Sequence, residues 1–152
     1  MRLTLAVVGR ARKGSLKTLY EDYAGRLSWP LELREVEEKR PLSAPELKVR
    51  EAELLLAAAP KGARLVALDG RGKQLDSVQF ARLLEDWQDR GEQDVCFLIG
   101  GAEGLDDTVV DKAQLALSLG AMTWPHMLVR VMLAEQLFRA QSILAGHPYH
   151  RA

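Results

Sequence analysis

Five short apolar runs, each followed by a stretch with helical spacing, constrain the fold of this chain more than any other feature. Residues 3–8 form the first run and stop at Gly9, as a buried strand does. Leu16, Leu19, Tyr20, Tyr23 and Leu27 then recur at helical spacing, and Pro30 closes the pattern. Residues 31–36 read as a second strand. Ser43 and Glu46 form a capping box with Pro45 in the first turn, opening a helix through Leu47, Leu54 and Leu55 that stops at Pro60 and Gly62. A third strand, 65–68, is closed by a loop at 69–72. Asp76 or Ser77 caps a helix through Phe80, Leu83, Leu84 and Trp87, with Gly91 as its stop. Residues 95–99 form a fourth strand, 106–113 a short helix, and Leu115, Leu117 and Leu119 alternate as a fifth strand. A turn at 120–124 leads into a long helix over 125–145.

The order βαβαβαβαβα predicts an α/β fold: a mostly parallel sheet with helices on both faces. The length of 152 residues suits one domain spanning 1–152. Ligands of such sheets bind beyond the carboxyl ends of the strands. Three glycine-containing loops, at 69–72, 100–104 and 120–124, fall there and point to one shared pocket. The pocket is not a dinucleotide site, because the glycines follow the fourth strand and no acidic residue stands near position 120. Nor is it a P-loop, since no G-K-[ST] follows.

The formal net charge is zero, which argues against a general nucleic-acid coater but leaves room for a local basic patch. Arg10, Arg12, Lys13 and Lys17 form such a patch, with an ordinary solvated loop as the plainer reading. Cys96 is the only cysteine, so no disulfide framework exists and a reducing, cytoplasmic setting is expected. No signal pattern and no run of about 18 apolar residues is present, so no membrane association is expected.

The last quarter carries the chemistry. The helix from position 125 has apolar residues all round its axis and must be buried on every side. A partner subunit is the natural cover, making a homodimer; a central core helix is the alternative. Glu135 and Arg139 are spaced i,i+4 on it and can pair. All three histidines lie in this quarter, and imidazole is the side chain that titrates near neutral pH. His147, Tyr149, His150 and Arg151 cluster at the terminus. A metal site is not expected, because the histidines lack a clear fourth ligand. A terminal tail makes few core contacts, so the cluster should matter to activity far more than to stability.

Three blocks carry a family resemblance: FLIGGAEGL at 97–105, SLGAMTWPHMLVRVMLAEQLFRA at 118–140 and HPYHR at 147–151. With them the chain resembles the ribosomal RNA large-subunit methyltransferase H family, of the SPOUT class, over its whole length. The resemblance implies an α/β sheet with a C-terminal trefoil knot, an exception to the rule that chains do not thread loops. It implies a homodimer that binds S-adenosylmethionine at the knot and methylates N3 of a pseudouridine in 23S rRNA on the assembled ribosome. The cofactor residues implied are Leu68, Gly100, Gly101, Leu119, Gly120, Ala121, Met122, Thr123 and Trp124. The target-base residues implied are His126, Glu135, Arg139, Tyr149, His150 and Arg151. Segment 10–15 matches no motif of the family.

Methylating an imide nitrogen makes three demands. The donor methyl must lie in line with the nitrogen, the N3 proton must leave, and the charge developing on the flanking carbonyls needs donors. Arg139 and Arg151 suit the third demand, His126 or His150 the second, and Tyr149 can stack on the base. Two other classes compete. A non-enzymatic nucleotide-binding module would not need the His, Tyr and Arg tail. A hydrolase would need a nucleophile elbow, and none is present.

Overall fold

The computed structural model describes residues 1–151. Its ten elements are β1 (Arg2–Val8), α1 (Ser15–Ala24), β2 (Leu31–Val36), α2 (Ala44–Ala58), β3 (Arg64–Gln74), α3 (Ser77–Asp89), β4 (Asp94–Ile99), α4 (Asp107–Lys112), β5 (Leu115–Ser118) and α5 (His126–Leu144). The strands form one sheet in the order β2-β1-β4-β3-β5. Every pairing in it is parallel.

Strand alternation divides the apolar runs between two cores. Leu3, Leu5 and Val7 of β1 and Val95, Phe97 and Ile99 of β4 face the side covered by α1, α3 and α5. Ala6, Val8, Cys96 and Leu98 face the other side, where Ala52 and Leu55 of α2 and Val109 of α4 close it. Helices therefore cover both faces, as the sequence pattern requires. Burial pushes the Cys96 thiol up to about 11, so this cysteine is an inert core residue.

Local signals act as read, with three differences. Ser43 caps α2 by accepting from the Glu46 N–H at 3.3 Å, but the Glu46 carboxylate takes the Ser43 hydroxyl and not its backbone. Asp76, not Ser77, caps α3, in a complete capping box with Gln79. The third strand does not end at Leu68. β3 runs to Gln74, and its pairing with β5 jumps so that Leu68 and Lys73 both lie opposite Leu117. Residues 69–72 are thus a bulge inside β3 rather than a closing loop. β5 stops at Ser118, so Leu119 belongs to the following loop.

The long helix is the larger correction. α5 packs against α1 on one side and α3 on the other, over the middle of the sheet. None of its residues is exposed, and Arg130, Leu133, Ala134, Leu137 and Ala140 are buried within the chain itself. The central core reading describes it, and its apolar girth alone does not call for a partner subunit. Among the described residues, no helix is long and apolar enough to cross a membrane.

Candidate active site

The carboxyl ends of β4, β3 and β5 are neighbours in the sheet, so their loops must meet. They enclose a cavity of about 670 Å³. Leu68, Gly100, Gly101 and the whole stretch Leu119, Gly120, Ala121, Met122, Thr123 and Trp124 line it. All nine expected cofactor residues are therefore brought together. His126 and Val129, from the first turns of α5, complete the wall.

Each loop is held by a specific device. Arg71 ties the β3 bulge down, with its Nη2 on Asp69 Oδ2 and its Nη1 on Asp107 Oδ1, both at 2.9 Å. The Arg71 guanidinium beside Asp69 holds that carboxyl below its ordinary range. Gly120 sits at φ +116, a conformation that side chains disfavour, and its N–H donates to Ser118 Oγ at 3.1 Å. Gly101 is constrained from behind. A Cβ there would meet Val8 Cγ1 at 3.0 Å and Glu51 Oε2 at 3.2 Å, so a side chain would press into the wall under the loop.

His126 stands where the cavity meets the end of β1. Its Cε1 lies 3.6 Å from where a Gly9 Cβ would be. Burial, reinforced by the nearby Arg130 charge, lowers the imidazole pKa, so this histidine is neutral at neutral pH. Its Nδ1 is buried with no hydrogen-bond partner among the described residues. Arg130 is only 2% exposed. It donates to Glu35 Oε2 at 2.8 Å and to the carbonyls of Val8 and Gly9 at 3.2 and 2.8 Å. Glu35 Oε2 also accepts the Ala11 N–H at 2.6 Å.

The remaining residues expected at the target base form a second group, at the C-terminal half of α5 and in the tail. Glu135 is its hub. Its Oε1 accepts from Arg139 Nε at 3.0 Å, Arg139 Nη2 at 2.5 Å and the Tyr149 hydroxyl at 3.0 Å, while Oε2 accepts from Gln136 at 2.9 Å. The Tyr149 ring packs on Phe138 with centroids 4.7 Å apart, and the Arg139 guanidinium lies over it at 4.8 Å. Burial first, then hydrogen bonds to Tyr23 and Glu135, push the Tyr149 hydroxyl above its ordinary range. Arg139 Nη1 donates to His150 Nδ1 at 3.1 Å. Arg151 is exposed and makes no ion pair among the described residues.

Two expectations change. The expected target-base set does not gather in one place: His126 lines the cavity, whereas Glu135, Arg139, Tyr149 and His150 meet without it. The tail is not a loose end, because Tyr149 docks onto α1 and α5 through two hydroxyl contacts and a ring contact. Among the described residues, no three His, Cys, Asp or Glu side chains come together as a metal site would require.

Sequence reasoning passed over two groups. The Arg130–Glu35 pair links residues 95 apart and carries no local mark. Glu51 carried one: it sits four residues before the buried Leu55, so α2 presents a carboxylate on its apolar stripe. Glu51 is 7% exposed, its Oε1 has no partner among the described residues, and burial followed by the Glu103 charge raises its pKa.

Comparison with known proteins gives the lineage. Residues 1–150 match the family described as "Predicted SPOUT methyltransferase". A ribosomal RNA large subunit methyltransferase H of Paramagnetospirillum magneticum is 62% identical over 151 residues, covering 99% of both chains. Its namesake in Rhodospirillum centenum is 60% identical over 152 residues, covering 100% of both. Among solved structures, a probable methyltransferase from Bordetella pertussis Tohama I superposes with TM-score 0.60 at 16% identity, covering 91% of this chain and 95% of its own. A SpoU methyltransferase of Streptomyces viridochromogenes, solved with AdoMet, superposes with TM-score 0.51 at 16% identity over 92% of this chain and 58% of its own.

Proposed function

The chain belongs to the SPOUT methyltransferases, within the ribosomal RNA large-subunit methyltransferase H family, and from that premise we propose that it transfers a methyl group from S-adenosylmethionine to N3 of a pseudouridine in 23S rRNA on the assembled ribosome. The observation that carries the reading is the cavity at the ends of β4, β3 and β5. Its volume of about 670 Å³ is that of a small-molecule pocket. Leucine side chains and Trp124 suit an adenine, while the glycine-rich loops leave backbone groups open to a ribose and an amino acid moiety.

Three finer features go with it. β5 is an edge strand, yet the next helix begins beside Val8 and Gly9 at the end of β1. Segment 119–125 therefore crosses the ends of β3 and β4, a path that supports a trefoil knot. The protein acts as a homodimer, and a second copy covers exposed apolar side chains such as Leu19 of α1 and Met122 and Trp124 at the cavity rim. The dimer also completes the site. Within one chain Glu135 does not line the cavity of His126 but an adjoining one that shares Leu117, Leu119 and Gly120 with it, and in the dimer the tail of one protomer reaches the cavity of its partner.

S-adenosylmethionine supplies an electrophilic methyl group on a sulfonium. The chain's residues supply the rest. Glu135 has both carboxylate oxygens engaged, so it organises Arg139 and Tyr149 and is not the base. An arginine only donates, so the Arg139 bond requires a lone pair on His150 Nδ1 and leaves the proton on Nε2. His150 thus offers an N–H to a carbonyl of the target base. Arg139 and Arg151 add charge to stabilise that carbonyl as the imide loses its proton. His126, neutral and in the cavity wall, takes the N3 proton.

Calorimetric titration with S-adenosylmethionine, ATP and NAD tests the pocket. Micromolar binding of the first alone supports the reading, and preference for either of the others sinks it.

A further inference from the structure

Segment 9–17 is chemically unlike the rest of the chain and is not used by the reaction outlined above. The first twenty residues hold five basic and no acidic side chains, in a protein whose net charge is zero. Four of the five, Arg10, Arg12, Lys13 and Lys17, are exposed on this one segment. Arg10 has only a loose contact with Glu37, at 3.5 Å with both side chains well solvated. Among the described residues, Arg12 pairs with no carboxylate, although eleven arginines of the chain, Arg10 included, are so paired, and Lys13 and Lys17 are unpaired as the chain's other lysines are. What distinguishes the segment is its density: four exposed cations lie within residues 10–17, and no acidic side chain stands in the first twenty residues to offset them.

The backbone beneath them is held from inside. Arg130, 2% exposed, binds the carbonyls of Val8 and Gly9, and its partner Glu35 takes the Ala11 N–H. An arginine buried for a partly exposed partner is an expensive way to gain stability, and the better-attested benefit of such pairing is a defined geometry. Here the geometry defined is that of the loop from which the cations project. The segment also borders a cavity of about 430 Å³, with Arg10, Arg12 and Lys17 among its walls and Met127 of α5 on the far side. Met127 follows His126, which lines the cofactor cavity. The basic surface and the reaction centre are therefore neighbours around the first turn of α5.

We propose that Arg10, Arg12, Lys13 and Lys17 form a phosphate-contact surface that holds the rRNA backbone beside the target nucleotide. The inference rests on the rRNA reading of the previous subsection. Zero net charge gives the protein little long-range attraction for RNA, so its grip must come from such a local, rigid set of cations. Lysines and arginines of this kind fix position without reading sequence.

The test compares the parent with the triple variant R12A/K13A/K17A, using large ribosomal subunits as substrate at several salt concentrations. We expect KM for ribosomes to rise about tenfold or more near physiological salt. The salt slope of log(1/KM) should become shallower by roughly 0.7 for each lost single-strand contact. The kcat at saturating subunits and the affinity for S-adenosylmethionine should stay within about twofold, which also certifies the fold. An unchanged KM overturns the inference. A raised KM with an unchanged salt slope assigns the loop to a ribosomal protein and overturns it too. If the parent itself methylates no 23S rRNA, the functional reading fails first and carries this inference with it; an active parent with an indifferent triple variant defeats this inference alone.

Discussion

Arg139 donates from Nη1 to Nδ1 of His150 at 3.1 Å, and the same guanidinium is clamped to Glu135. The imidazole lone pair that a general base would need is already spent on this contact. The role proposed for His150 is therefore that of a donor through its Nε2–H. Glutamine can accept from Arg139 and still donate, whereas alanine can do neither. We expect His150→Gln to keep kcat within about tenfold and His150→Ala to lose about a hundredfold or more. Equal losses in the two variants would remove the donor role.

His126 provides the matching prediction. Its pKa is lowered from the ordinary 6.5 by burial and by Arg130. The folded state therefore favours the neutral ring: its contribution to stability is present above pH 6.5 and fades as the pH falls through the lowered value. His126→Gln should flatten the acid limb of thermal stability below pH 6.5. It should also lower kcat by roughly a hundredfold and shift the acid limb of the kcat profile. A variant with the parent's acid limb in both measurements would free His126 of its role.

Glu51 behaves oppositely. Burial raises its pKa above the ordinary 4.5, so ionising it opposes folding. That penalty is absent below pH 4.5, grows as the pH rises through the raised value, and is complete above it. Glu51→Gln should therefore raise the melting temperature at pH 7.5 by about 2 °C or more, with little change at pH 4. Equal shifts at both values would show that charge is not the cause.

The tail should contribute to stability as well as to activity. Tyr149→Phe removes a hydroxyl bonded to Glu135 and Tyr23, costing about 1 kcal/mol, or roughly 3 °C in a domain of this size. Deleting residues 149–152 also removes the ring from Phe138 and should cost more. Melting curves decide it: an unchanged midpoint in the deletion would mean the tail does not dock as described.

Most of the fold was legible because period-2 and period-3.6 patterns report burial directly. The run at 3–8 divides between two cores as alternation demands, and α5 has no exposed residue, as its apolar girth requires. What covers α5 was not legible, since α1 and α3 reach it only through the tertiary fold. The β3 bulge was hidden for a similar reason: Asp69 to Gly72 reads as a turn, and only pairing with β5 continues the strand beyond it. That the three glycine-containing loops would meet was legible because all three follow strands of one sheet, although any one of them alone reads as an ordinary turn. The separation of His126 from His150 was within reach of the sequence, since the long helix expected over 125–145 stands between them. Glu51 could have been found from its place on the stripe of Leu55.

The proposed dimer and its proposed shared site are tested by light scattering and by a mixing experiment. Light scattering at micromolar concentration should give twice the chain mass. A tail-deleted protein mixed with Gly101→Val should recover activity that neither has alone, since Gly101→Val presses on Val8 and Glu51 and distorts the cofactor loop. A monomer, or a mixture as inactive as its parts, would place the whole site within one chain.

The central claim is methyl transfer to the large-subunit RNA, and nucleoside mass spectrometry after incubation of large subunits or whole ribosomes with the protein and isotopically labelled S-adenosylmethionine addresses it most directly. The account predicts one labelled methyl group per 23S rRNA, recovered as N3-methylpseudouridine and abolished by Gly101→Val. Label on another nucleoside, or none in 23S rRNA while S-adenosylmethionine still binds, would contradict it.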